Sequence, residues 1–253
     1  IYTDYLICQN QQATAIGLAN LLDSEVSHDQ ITRFLNKNEY GSKDLWKYVK
    51  ADVRKHEQKT GGVLIIDDAI EEKPYTDENE IVSWHFSHAK GRCIKGINIL
   101  SGLIRYGDLA LPIGYEVIKK DLHFCDIKTQ KEKRQSSMTK NQHLRALVAQ
   151  AIENGVLFDY VLADNWFGAK DNMEFIHYEL NKFFVFGIKA NRLIALSEED
   201  RKKGQYQNLN TLDFKDGQKQ VVWLKDLAFP VALITKIFKN EDGSTGILHI
   251  VTN

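Results

Sequence analysis

Proline, cysteine and methionine are scarce, with 3, 3 and 2 copies in 253 residues. So few prolines exclude long polyproline linkers or tails. Cys8, Cys93 and Cys125 are odd in number, far apart and form no C-x-x-C pair, which excludes a disulfide framework. They are expected as free, buried thiols of a reducing compartment. A long apolar run is also missing. The most apolar stretch, Leu227–Ile234, falls far short of the roughly 18 residues that a membrane-spanning helix needs. No charged and apolar leader opens the chain, so no signal peptide is expected, and a first residue of Ile rather than Met is expected of a fragment or trimmed chain. Excess charge of either sign is absent: 33 Lys and Arg face 34 Asp and Glu, a net of -1, a mild argument against a nucleic-acid binder. What remains is 43% hydrophobic and 26% charged, an ordinary globular composition that excludes collagenous and disordered chains. The length suits one large domain, or a medium domain with a small appendage.

The first forty residues read as two short helices. Ile16, Leu18, Ala19 and Leu22 fit one helical face, and Asp23-Ser24-Glu25 interrupts it. Ser27-His28-Asp29-Gln30 has the form of a capping box, with Ile31, Phe34 and Leu35 as the next apolar face. Two short helices around a tight turn outline a helix-turn-helix. Its second helix would offer His28, Gln30, Thr32, Arg33, Asn36 and Lys37 to a DNA groove. A plain helical hairpin has the same spacing. Ser42 is placed to cap a third helix carrying Leu45, Trp46, Val49 and Val53.

After Lys59-Thr60-Gly61-Gly62 the pattern changes. Val63–Ile66 is an apolar run typical of a central strand, and it is expected to end at Asp67-Asp68. Residues 96–106 and 109–118 are two more strands joined at Gly107-Asp108, a hairpin signal. Residues 119–138 are polar and charged. Thr139–Gln142 is a second capping box, and Leu144, Leu147, Val148, Ala151 and Ile152 follow at helical spacing up to Gly155. Tyr160–Ala163 is a strand ending in Asp164. A helix over 170–180 and a strand over 183–189 come next. The order β-β-β-α-β-α-β makes an α/β fold, a mixed sheet with helices on its faces. Residues 205–253 read as all-β, with turns at Asp216-Gly217 and Asp242-Gly243.

Two acids stand at strand ends. A carboxylate following an apolar strand is costly near a core unless it is paired, hydrogen-bonded or on a metal. On neighbouring strands, about 5 Å apart, Asp68 and Asp164 could share hard divalent cations such as Mg²⁺ or Mn²⁺. Such ions would serve phosphodiester chemistry. A single strand-end Asp is more often a terminator or helix cap; two in this element order are less easily so explained.

The surroundings are basic. Residues 119–145 carry Lys119, Lys120, Lys128, Lys131, Lys133, Arg134, Lys140 and Arg145 against Asp121, Asp126 and Glu132, a local charge of +5. Trp84, His85, Phe86, His88, Lys90, Arg92 and Lys95 form another basic and aromatic stretch. Both could hold phosphates, and the aromatics could stack on unpaired bases. A solvated charged face is the plainer alternative for any one of them. His85, His88 and Cys93 lack the second ligand pair of a zinc site.

With both acids placed, the chain resembles the DDE transposases of bacterial cut-and-paste insertion sequences, which have an RNase H-like catalytic core. The resemblance is carried by Leu64-Ile65-Ile66-Asp67-Asp68-Ala69, by Val161-Leu162-Ala163-Asp164-Asn165-Trp166-Phe167-Gly168 and by Phe186-Gly187-Ile188-Lys189-Ala190-Asn191-Arg192. Ser27–Leu35 resembles the N-terminal DNA-binding helices of the same group. The resemblance implies that Asp68 and Asp164 are the first two catalytic acids and hold Mg²⁺ or Mn²⁺. It implies double-stranded DNA (transposon ends and target) as partner, a homodimer on that DNA, and a bacterial, nucleoid-associated location in the cytoplasm. Its third acid, a Glu in a Tyr/Arg/Glu/Lys pattern on a helix after a β-rich insertion, has no match, and Ile250–Asn253 resembles the strand just before that helix. Glu198 and Glu199 follow Asp164 by 34 and 35 positions but precede the insertion, which makes Glu199 an unattractive substitute.

The expected organisation is a helical DNA-binding region over 1–60, an RNase H-like core over 61–196 and a truncated β-rich insertion over 197–253. The expected function is DNA transposition, by metal-dependent phosphodiester hydrolysis and strand transfer, or that of a truncated, inactive form of such an enzyme, since the chain lacks its third acid. The alternatives are a non-catalytic transposase-derived DNA-binding protein and an RNase H-like nuclease with another substrate.

Overall fold

Among the residues described by this computed structural model (1–10, 13–37, 39–87 and 90–253), the first of two units, Ile1–Gly41, holds three helices. They are α1 (Tyr2–Cys8), α2 (Ala15–Leu21) and α3 (His28–Asn36). The expected pair is present, preceded by α1, which the sequence did not announce. Asp23 and Ser24 turn the chain between α2 and α3 with φ of 49° and 63°. The capping box forms as read: Gln30 N–H donates to Ser27 Oγ (3.3 Å) and Ser27 N–H to Gln30 Oε1 (2.9 Å). The unit's small core is Tyr5, Leu18, Ala19 and Ile31. It takes only Ile31 from α3, leaving Phe34 and Leu35 exposed, contrary to the apolar face expected of them.

The second unit, Ser42–Asn253, opens with α4 (Ser42–His56). Then come β1 (Val63–Glu72), β2 (Val82–Ser87), β3 (Arg92–Tyr106), β4 (Leu109–Val117), β5 (Leu122–Asp126), β6 (Lys131–Gln135), α5 (Lys140–Glu153), β7 (Tyr160–Ala163) and α6 (Lys170–Glu174). A π-helical turn (Phe175–Glu179) continues α6. The chain closes with β8 (Phe183–Ile188), β9 (Leu193–Ala195), α7 (Glu198–Lys202), β10 (Gln207–Asn208), β11 (Lys219–Leu224), β12 (Val231–Lys239) and β13 (Thr245–Thr252). The strands make one large mixed sheet in the order β10-β9-β11-β12-β13-β8-β7-β1-β3-β2, with β4 also on β3, and a separate β5–β6 hairpin. β1, β7 and β8 run parallel, while β3 is antiparallel to β1. This is the mixed α/β class read from the sequence. Helices flank the sheet and bury Trp46 and Val53 of α4, Leu144, Leu147, Val148 and Ala151 of α5, and Met173 of α6.

Three expectations need correction. β1 does not end at Asp67-Asp68. It pairs with β7 only as far as Ile66↔Ala163, but its other edge stays on the long β3 to Glu72↔Gly96, and that ladder carries the strand past the acids. Gly96 permits this, because a Cβ there would stand 2.3 Å from the Glu71 carbonyl oxygen. Second, the polar segment 119–138 contains the β5–β6 hairpin, and the stretch around Trp84 forms β2 on the edge of β3. Third, all three cysteines are exposed rather than buried. Cys8 ends α1, Cys93 lies near the start of β3 and Cys125 lies on the hairpin.

Candidate active site

The register of β1 and β7 brings the acids together. Ile66 and Ala163 are the last pair, so Asp67-Asp68 and Asp164 leave the parallel ladder side by side. Asp68 shares a face of β1 with buried Leu64 and Ile66, and its side chain is 13% exposed. Asn98 Nδ2 of β3 (3.1 Å) and Lys140 Nζ of α5 (2.6 Å) both donate to its Oδ2. Asn98 is fully buried, and among the described residues its Oδ1 has no hydrogen-bond partner.

Asp164 sits in a tight loop. Trp166 N–H donates to its Oδ1 (3.0 Å) and Phe167 N–H to its carbonyl (3.2 Å), while the Phe167 ring is fully buried. The loop lies against β8, where Gly187 makes room: a Cβ there would be 2.9 Å from Asn165 N. Desolvation raises the Asp164 pKa. The Asp68 and Asp67 charges raise it further, and the Trp166 N–H and Lys140 work against them. Negative charge is therefore concentrated where a cation would relieve it.

Asp67, Asp68 and Asp164 line a cleft of about 750 Å³. Its basic lining comes from Lys90, Lys120 and Lys140, its aromatic lining from Trp84, Phe86 and Trp166. Lys120 donates to the Trp84 carbonyl, and Lys90 pairs with Glu72. His85, also in the lining, joins Ser83 Oγ through Nε2 (3.0 Å). Burial first, then the Lys120 and Lys140 charges, push its imidazole down to about 4, against the pull of Asp68, so it is neutral at pH 7.

The other residues singled out from the sequence lie elsewhere. Arg92 and Lys95 are on β3 outside the cleft lining. Lys131, Lys133 and Arg134 are on β6, where Lys133 pairs with Asp126 and Arg134 Nε lies 3.9 Å from Glu78. His28, Gln30 and Arg33 are exposed on α3 in the other unit, where Gln30 is engaged in its capping box. His88 falls outside the described residues. Glu199 is exposed on α7 and does not line the cleft. Asn98 was missed, although the sequence held a signal: it is a polar residue at an inward position of a strand whose neighbouring inward positions are Ile94, Gly96, Leu100 and Gly102.

The donor set fits a hard divalent cation. Two carboxylates from adjacent strands open on one cleft, and both protein donors on Asp68 occupy Oδ2, so that among the described residues no hydrogen bond falls on Oδ1. Among the described residues no third His, Cys, Asp or Glu completes a metal-binding cluster.

Residues 1–209 match the family described as DDE superfamily endonuclease. No curated protein matches. Among solved structures, the chain is similar to the Drosophila P element transposase strand transfer complex, with 14% identity, 72% of this chain and 39% of that chain covered, and a TM-score of 0.30. It is also similar to the NurA nuclease from Sulfolobus solfataricus, with 10% identity, 92% and 80% coverage, and a TM-score of 0.29. The match spans well under half of the P element transposase chain. On the match over residues 1–209, this chain belongs to the DDE superfamily endonucleases.

Proposed function

We propose that the chain is the catalytic core of a DNA transposase of the bacterial insertion-sequence kind, with an RNase H-like sheet. The observation that carries this reading is the placing of Asp68 and Asp164 in one cleft, at the point where β1 and β7 part. The five strands β4-β3-β1-β7-β8 supply the mixed sheet that the reading calls for. Asp68 and Asp164 would hold Mg²⁺ or Mn²⁺, which would activate a nucleophile and stabilise the leaving oxygen of a phosphodiester. Asp164 accepts the Trp166 N–H, which fixes its carboxylate toward the cleft loop. Lys120 brings positive charge to the cleft for a DNA strand, and Lys90 lies beside it paired with Glu72. Strand transfer by the freed 3′-OH, a homodimer on transposon ends, a DNA-binding role for α3 and a nucleoid-associated location belong to the same proposal.

The test is nicking of supercoiled plasmid by the purified protein with Mn²⁺. Nicking that disappears in Asp164→Asn supports the reading. A site with two carboxylates and no third ligand among the described residues favours a second reading, a DNA-binding protein without cleavage. It expects binding of the same plasmid with no nicks in either cation.

A further inference from the structure

Asp68 Oδ2 accepts two donors of different character. Asn98 is fully buried on β3, so its amide is a fixed donor. Lys140 is the first residue of α5, and its side chain is 37% exposed at the cleft wall. A lysine ammonium is a compact charge on a flexible four-carbon stem, able to leave one anion for another without moving the backbone. Its charge is also felt by Asp164. Lys140 is thus the counter-ion of Asp68.

Removing that counter-ion alone would leave a partly buried carboxylate uncompensated, which is costly. Removing it while a divalent cation binds costs far less, since the site gains more positive charge than it loses. The freed ammonium then needs an anion, and a phosphate of DNA lying in the same cleft supplies one. We propose that Lys140 is a displaceable counter-ion: it gives up Asp68 when a divalent cation binds and carries its ammonium to a DNA phosphate. The inference rests on the DNA-processing reading above. Cation and DNA binding are then coupled through one side chain, and the coupling is reciprocal.

Lys140→Met keeps the stem and removes the charge. Titrated calorimetrically with Mn²⁺ in the absence of DNA, it should bind roughly 5-fold more tightly than wild type or better. Equal or weaker binding overturns the proposal. The second readout is the affinity for a double-stranded oligonucleotide, by fluorescence anisotropy with and without Ca²⁺. Ca²⁺ should tighten DNA binding by a clearly larger factor in wild type than in Lys140→Met, and Lys140→Arg should restore the wild-type factor. Equal factors in wild type and Lys140→Met overturn the proposal. Wild-type protein that takes up no Mn²⁺ brings down the two-carboxylate cation site and this inference together. Wild-type uptake with an unchanged Lys140→Met strikes only the role of Lys140.

Discussion

Asn172, fully buried on α6, donates through Nδ2 to the Phe167 carbonyl at 2.9 Å. The same amide donates to Asn141 Oδ1 of α5 (2.9 Å) and accepts from Arg145 Nη1 (2.7 Å). One side chain thereby ties the loop that holds Asp164 to the helix that carries Lys140. Asn172→Leu should lower the unfolding free energy by about 2–4 kcal/mol, because it strands the buried Phe167 carbonyl and two part-buried side chains. Denaturant melts would measure this. A loss below about 0.5 kcal/mol, ordinary for a surface position, would mean that the network does not hold the loop.

Gly187 sets how closely that loop meets the sheet. A methyl group there would press on Asn165 backbone, which cannot swing away as a side-chain tip can. Gly187→Ala is expected to cost about 1–3 kcal/mol by overpacking. It should also change the fluorescence of Trp166, whose ring centroid lies 4.0 Å from Lys189 Nζ. A variant with wild-type stability and emission would show that the loop has slack.

How far the sequence revealed all this depends on the element. Val63–Ile66 and Tyr160–Ala163 were legible because both are apolar runs with turn signals before them, although β7 buries only Val161 and Ala163 and leaves Tyr160 and Leu162 exposed. The boxes at Ser27 and Thr139 were legible because capping is local chemistry. The true length of β1 was not legible, since a ladder to residues some thirty positions away decides it. In the β5–β6 hairpin β6 is almost wholly charged and β5 alternates only Leu122 and Phe124, too short a pattern to announce a strand, and backbone pairing holds the two together. The two acids could be named from sequence, but Asn98 and Lys140 became partners of Asp68 only when β3 and α5 were packed beside β1.

The hairpin offers its cations to DNA on the proposed reading. Replacing Lys131, Lys133 and Arg134 with Ala should make DNA affinity less salt-dependent. The log–log slope should fall by about 1–2, less than three phosphate contacts would give. Lys133 and Arg134 are already drawn to Asp126 and Glu78. Thermal stability should hold, because β5 and β6 form their own sheet. An unchanged slope would place the DNA path elsewhere.

His85 gives the cleft a pH dependence. Its folded-state pKa of about 4 lies below its ordinary 6.5, so the unfolded chain binds the proton more readily between those values. The stability this group contributes is full above pH 6.5 and is lost as pH falls toward 4. Desolvation also lowers the pKa of His249 and His143, so the comparison must be differential. Across that window wild type should lose more stability than His85→Gln. Parallel pH profiles would remove His85 from the explanation.

The most direct test of the two-carboxylate site is Mn²⁺ binding followed by electron paramagnetic resonance in wild type, Asp68→Asn and Asp164→Asn, each first shown to be folded. Wild type should bind, and each variant should lose at least about tenfold in affinity, since each removes one charged oxygen ligand. Variants that bind Mn²⁺ as tightly as wild type would contradict a cation held jointly by Asp68 and Asp164.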